Sequence, residues 1–273
     1  MPAGRVFTME TTSGGTTPVG EDASLSGASA RLPRGAYSTL RTYGGRDVVR
    51  FGAHLRRLEE SVALLGRPAA VDPDAARRLV GAALRAGGHP ESRLRLTFAP
   101  PRLFVSIEAF VPAPRSRYEQ GVACVTLPLH RDQPRAKDSQ FIPTAQRAYG
   151  DLPPGIEEAL LLADDGAILE GLSSNFFSVL GGRLRTEEGH VLPGITRALV
   201  LEVAEARLAV VRRALNRDDL PQVSEAFITS ASREVLPVVR IDGETLADGR
   251  PGPHTRAIIR AFDALVRREA ERV

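Results

Sequence analysis

Lys137 is the only lysine in the chain, and every other member of its 36 Lys and Arg residues is an arginine. Arginine keeps its proton near neutral pH, whereas an ε-ammonium can be desolvated to a nucleophilic amine that condenses with aldehydes. A composition that uses arginine wherever a positive charge suffices therefore singles out Lys137 for covalent work. In LPGITRALVLEVAE (192–205), Pro193-Gly194 precede a helix whose first turn holds Ile195 and Thr196. Free N–H groups at a helix start, with the dipole behind them and the Thr196 hydroxyl beside them, suit a phosphate. ILEGLSSNFF (168–177) puts Glu170 at the end of an apolar strand, where a carboxylate can hold a protonated ring nitrogen. FITSASREVLPV (227–238) sets Ser230, Ala231 and Ser232 after a strand as a second small-residue nest for an anion. Arg57 follows His54 by three residues on one helix, and a guanidinium grips phosphate through two parallel N–H bonds. Taken singly, each has a plain structural reading: a surface lysine, an N-cap turn, a turn glutamate, a loop serine, a solvated arginine.

The elements that must position these residues follow from periodicity and punctuation. GAYSTLRTY (35–43) reads as a strand, GGRD as a turn and VVRF as its hairpin partner. Leu55, Leu58, Val62 and Leu65 recur at three- and four-residue steps, one apolar stripe of a helix. A second helix opens at Asp72-Pro73 and stops at Gly87-Gly88. RLRLTF and RLFVSIEAF form a hairpin about Ala99-Pro100-Pro101. Further strands are GVACVTL, EALLLA, AILEG, NFFSVL, AVVRRAL, EAFITS and EVLPVVRI, with helices from about Thr196 to Leu208 and Thr255 to Arg268. Short strands in succession without helical crossovers indicate α+β rather than a doubly wound parallel sheet. The organisation expected is a flexible tail over 1–32, a small N-terminal domain over 33–112, a Pro/Arg-rich linker at 113–118 and a larger domain over 119–273.

Composition narrows the function classes. With 42% apolar and 25% charged residues and a net charge of +3, the chain is ordinary for a globular protein. It has no compact basic run, so nucleic-acid binding has little support. Cys124 stands alone, which excludes an intrachain disulfide and a multi-cysteine metal site. His54, His89, His130, His190 and His254 lack ligand spacing, so no metal is expected. No apolar run approaches the roughly 20 residues of a membrane span, and the first residues lack secretory-signal order, which points to a cytoplasmic protein.

In order along the chain, GAYSTLRTY, HLRRLEESVALLG, Lys137, EALLLADDGAILEGLSSNFF, LPGITR and FITSASREVLPV resemble the class IV, or fold-type IV, pyridoxal-phosphate enzymes. That group includes branched-chain and D-amino-acid aminotransferases and aminodeoxychorismate lyases. The resemblance implies two domains, a small N-terminal α/β sandwich and a larger strand-rich pseudo-barrel. It also implies pyridoxal 5'-phosphate as cofactor and a homodimer. Lys137 would be joined to the cofactor as an aldimine and shuttle the substrate α-proton, and Glu170 would face the pyridine nitrogen. Arg57, Ile195, Thr196, Ser230 and Ala231 would hold the phosphate, and Tyr37 and Arg95 are the candidates for substrate contact. The activity implied is amino transfer between an amino acid or amine and a 2-oxo acid. Pyruvate elimination by a lyase is the alternative within the family, and a non-catalytic anion- or RNA-binding protein the alternative outside it. Four features depart from relatives. Ala231 stands where a threonine is common, and Ile142 where branched-chain enzymes have a tyrosine. Ser174 replaces the glutamate that supports that tyrosine. Phe98-Ala99-Pro100-Pro101 lacks the Arg/His pair of the D-amino-acid branch.

Overall fold

The computed structural model describes residues 5–12 and 15–273. Contacts divide the chain into two compact units, one of residues 1–111, 136–146 and 269–273, the other of 112–135 and 147–268. The sequence places its linker at 113–118; the contacts divide the chain at 111/112 and put the segment carrying Lys137 with the first unit.

The first unit opens with β1 (Val6–Thr12), β2 (Gly15–Asp22) and α1 (Leu25–Arg31), followed by β3 (Ala36–Arg41) and β4 (Asp47–Val49). Helices α2 (Phe51–Leu64) and α3 (Pro73–Gly87) and strands β5 (Ser92–Ala99) and β6 (Arg102–Ala109) complete its main part. Its antiparallel sheet runs in the order β2-β1-β6-β5-β3. The flexible tail expected over 1–32 is corrected for the described residues. Phe7 to Glu10 pair with Phe104 to Ile107, and Val6, Thr8, Met9, Leu25 and Ala28 are buried. Polar Thr and Glu alternating with few apolar residues disguised a strand whose stability comes from its neighbour; residues 1–4 and 13–14 of that expectation lie outside the described residues. Helix α3 has the limits its caps dictate: the Asp72 carboxylate accepts from Asp74 N and Ala75 N, and Gly88 ends it at φ 62. The apolar faces of α2 and α3, among them Leu55, Leu58, Val62, Leu79 and Val80, form one core with Leu94, Leu96, Val105 and Ile107 of the sheet.

The second unit contains α4 (Arg115–Gln120), β7 (Val122–Leu127), the last turn of α5 (Phe141–Gly150), β8 (Ile156–Leu162), β9 (Ala167–Gly171), β10 (Asn175–Leu180) and β11 (Arg183–Arg185). Then come α6 (Ile195–Ala204), β12 (Val210–Val211), β13 (Leu215–Asn216), a 3-10 turn (Arg217–Gln222), β14 (Val223–Ser230), β15 (Glu234–Ile241), β16 (Glu244–Thr245) and α7 (Pro253–Glu269). Part of the expected linker is thus the helix α4, and AVVRRAL forms two short strands rather than one. β7 and β8 are parallel, and α5, which the sequence reading omitted, lies in the connection such a pair requires. The sheet path runs β10-β14-β15-β7-β8-β9, and a β9–β10 pairing at Asn175 and Glu170 joins its two ends. The fold is α+β, and this closed ring is the strand-rich pseudo-barrel. Phe176, Ile228, Leu236 and Val238 contribute to one of its cores, and Phe177 stacks on Phe227 at 4.9 Å.

The chain returns to the first unit as β17 (Ala270–Arg272), antiparallel to β4. β17 is thus the ladder partner of β4, whereas β3 pairs with β5; the expected β3–β4 hairpin is reduced to a bridge at Tyr43 and Asp47. None of the described helices is long and apolar enough to cross a membrane.

Candidate active site

In the first unit the chemistry gathers around β3. The segment bearing Lys137 lies along this strand: Tyr37 N donates to Lys137 O at 2.9 Å, Ser139 N to Gly35 O at 2.9 Å, and Lys137 N to Ser61 Oγ at 3.1 Å. The backbone of the unique lysine is therefore held on both sides, and its Nζ stands 5.0 Å from the Tyr37 ring centroid. The Arg95 guanidinium lies 5.0 Å from the same centroid and donates to Leu25 O and Ser29 Oγ of α1. Arg95 is thus tied to α1, and Tyr37 is flanked by two cationic side chains.

Arg57 is buried on α2, and its Nη2 donates to Ser38 Oγ at 2.6 Å. Ser38 Oγ lies 2.7 Å from His54 Nδ1. Burial, reinforced by the Arg57 charge, holds His54 well below its usual 6.5, so its ring is neutral at pH 7. Arg57 donates to Ser38 Oγ, so the Ser38 hydroxyl links the guanidinium to the His54 ring. Burial also brings the Arg57 guanidinium down to about 10, still charged at neutral pH. Its Nε is buried without a partner, a donor that suits an anion.

In the second unit three adjacent strand ends converge. Asn175 pairs with Glu170 across β10 and β9, and with Thr229 across β10 and β14. Glu170 is 3% exposed: Oε1 accepts from Arg131 Nη1 at 2.8 Å, and Oε2 from Asn175 Nδ2 at 3.2 Å and Leu192 N at 3.1 Å. Asn175 Nδ2 also donates to Leu192 O at 2.9 Å. Glu170 is thereby tied to Leu192, two residues before Gly194, the N-cap of α6, which has no side-chain cap. A Cβ at Gly194 would meet Asn175 Oδ1 at 2.1 Å, so only glycine permits this approach. The N–H groups of Ile195 and Thr196 open α6, and Ser230 and Ala231 end β14 and begin its turn.

Behind that turn lies a cluster the sequence did not disclose. Glu158, fully buried, accepts from Tyr149, Ser174 and Arg233, and Arg233 also donates to Ser230 and Ser173. Arg131, Ser38 and Ser61 were likewise missed, because their partners lie far along the chain, and Arg233 because its carboxylate partner Glu158 does, although Ser230 is near.

The residues fit a phosphorylated pyridine aldehyde. In the second unit an uncapped helix start and a buried Thr229 hydroxyl without a partner are polar groups that a phosphate would satisfy, and Glu170 is an acceptor for a ring N–H; in the first unit Arg57 carries an orphaned buried guanidinium nitrogen, a donor for an anion.

A family model described as amino-transferase class IV matches residues 35–241. The branched-chain-amino-acid aminotransferase of Escherichia coli K12 is 32% identical over 167 residues, 56% of this chain and 52% of that protein. A D-alanine aminotransferase of Bacillus licheniformis is 39% identical over 104 residues, 37% of this chain and 36% of that one. The matched stretch thus spans about half, or less, of these relatives' length. The solved structure of a branched-chain aminotransferase from Thermoproteus uzoniensis with norvaline superimposes with a TM-score of 0.78 at 22% identity, covering 96% of this chain and 95% of that one, which is a likeness of fold.

Proposed function

Because this chain belongs to the class IV aminotransferase family, we propose that it uses pyridoxal 5'-phosphate to move an amino group between an amino acid or amine and a 2-oxo acid. The observation that carries this reading is Glu170, buried, accepting from three donors and bonded to Leu192 N just ahead of the uncapped α6 start. When bound, the cofactor supplies an electron sink that makes the substrate Cα–H acidic.

The chain's own residues do the rest. Lys137 is the amine that anchors the cofactor, and its Nζ then takes the proton from the substrate Cα and returns it. Its backbone bonds to Tyr37 and Ser61 limit where that nitrogen can swing. Glu170 accepts from the ring nitrogen and keeps it protonated; Arg131, Asn175 and Leu192 N prevent the carboxylate from turning away. Arg57, Ile195, Thr196, Ser230 and Ala231 hold the phosphate, the first by charge and the others by N–H and hydroxyl donors. Tyr37 and Arg95 are assigned to substrate contact, Arg95 of β5 standing beside the Tyr37 ring and tied to α1. A second copy of this chain as partner and a cytoplasmic location belong to the same reading.

The test is spectroscopic. The full chain should develop a visible absorption band with the cofactor, and Lys137→Ala should not. Amino acids of either hand and amines, added singly, should bleach the band for the true donor. A wild-type chain that gains no band overturns the proposal. Pyruvate released without an amino acceptor would move the activity to the lyase.

A further inference from the structure

We propose that Arg233 is a positioning residue that makes Ser230 a dedicated hydrogen-bond donor, and so sets the preference of the 230–231 turn for a phosphate group. The inference rests on the functional reading above and adds a residue to it.

Counting protons around Glu158 leaves little freedom. Tyr149 OH donates to Glu158 Oε1 at 2.7 Å, and Ser174 Oγ donates to Oε2 at 2.9 Å. Burial and then the Glu158 charge raise the Tyr149 phenol, so it stays protonated. With that proton spent on Glu158, the 2.6 Å contact between Tyr149 and Ser173 is made by the Ser173 hydroxyl, which also faces Glu158 Oε2 at 3.4 Å. Ser173 Oγ in turn accepts from Arg233 Nη2 at 2.7 Å, and Nη2 also donates to Glu158 Oε2 at 2.7 Å. Both protons of Nη2 are then used, Nη1 faces Glu157 at 3.5 Å, and Nε is left for Ser230 Oγ at 3.3 Å. The backbone N of Arg233 donates to the same oxygen at 3.2 Å.

Ser230 Oγ therefore receives two N–H groups, which occupy its lone pairs. Its own proton has no acceptor inside this network and must be offered outward. A hydroxyl locked in this way cannot reorient to accept, so it favours a ligand rich in acceptors and poor in donors, as a phosphate ester dianion is. Glu158 neutralises Arg233 and ties the turn to residues 173 and 174, immediately before Asn175.

The experiment titrates the full chain, freed of cofactor, with pyridoxal 5'-phosphate and separately with pyridoxal, which keeps the aldehyde and ring but lacks the phosphate. Arg233→Lys retains a cation for Glu158 but has no Nε–H for Ser230. It should weaken the phosphate ester by about tenfold or more, the scale of a charge-assisted hydrogen bond, and change pyridoxal by less than about twofold. Ser230→Ala should do the same, and the double variant no more than either alone. Thermal melting establishes that each is folded. Should Arg233→Lys unfold, Arg233→Met with Glu158→Gln removes both charges together and carries the same expectation. Equal losses for the two ligands, no loss, or additive losses in the double variant would overturn the inference. A wild-type chain that binds neither ligand overturns the cofactor reading, and this inference with it.

Discussion

At the scale of single residues, the candidate site depends on buried charges that are paired. Arg131 and Glu170 have side chains 6% and 3% exposed, and each neutralises the other. Truncating one member of such a pair leaves the other charge buried and uncompensated, at about 3–5 kcal/mol. Glu170→Ala should therefore lower stability by about that amount in urea denaturation, and Glu170→Gln, which keeps the shape, should lose less stability while still slowing amino transfer. His54 gives the pH dependence. Its folded pKa is depressed by burial and by Arg57, whereas the unfolded chain titrates near 6.5. Below that value the unfolded state binds the proton and the folded state resists it, so stability falls as pH drops from about 6.5 toward the lowered folded pKa. Denaturation midpoints between pH 7.5 and 5.5 should fall less steeply in His54→Gln than in the wild type. Lys137 and Glu170 were legible because each carries a local mark, uniqueness in one case and a strand-ending acid among small residues in the other. Arg131 is one arginine among many, and nothing within a few residues of it names Glu170 as its partner.

At the scale of elements, punctuation that acts locally was readable. The caps at Asp72 and Gly88 bound α3 as the sequence indicates, and the Gly166 and Gly181-Gly182 turns fall between strands. Elements defined by distant partners were not: β1 gains its place from β6, and β17 from β4. The junction at Asn175 belongs to the second kind. It closes the barrel by pairing with Glu170, and the same side chain bonds Leu192 ahead of α6. Gly194→Ala tests how far α6 depends on that junction. The added Cβ would stand 2.1 Å from Asn175 Oδ1, so Asn175 or the α6 start must move. The φ of Gly194 is −66, which alanine adopts freely, so the effect is steric rather than one of backbone strain. The variant should bind pyridoxal 5'-phosphate about tenfold or more weakly with a smaller change in melting temperature than Glu170→Ala, as read by cofactor titration and thermal melting side by side.

At the scale of the whole molecule, the order of residues in the chain differs from their grouping in space. Residues 136–146 and 269–273 group with the first unit although the chain between them builds the second. Sequence reading divides a chain into consecutive blocks, and no composition shift marks a segment that returns. The return at the C-terminal end is held by several bonds within the first unit. Ala270 to Arg272 pair with Asp47 to Val49, Glu269 accepts from Arg50 Nε at 2.6 Å, and Glu271 accepts from Phe51 N at 2.9 Å and Arg77 Nη2 at 2.6 Å. The Glu271 bond matters most, because it satisfies an N–H at the start of α2, where no side chain of α2's own N-cap does so. Helix α2 carries His54, Arg57 and Leu58, so loosening its first turn reaches the Ser38–Arg57 bond. A chain ending at Arg268 should therefore lose hydrogen-exchange protection in β4 and the first turns of α2, while β8 to β10 of the second unit keep theirs. Glu271→Ala, which leaves β17 in place, should reproduce the loss in α2 but not in β4. Uniform loss across both units would show that the returning strand supports the fold as a whole rather than the helix that presents Arg57.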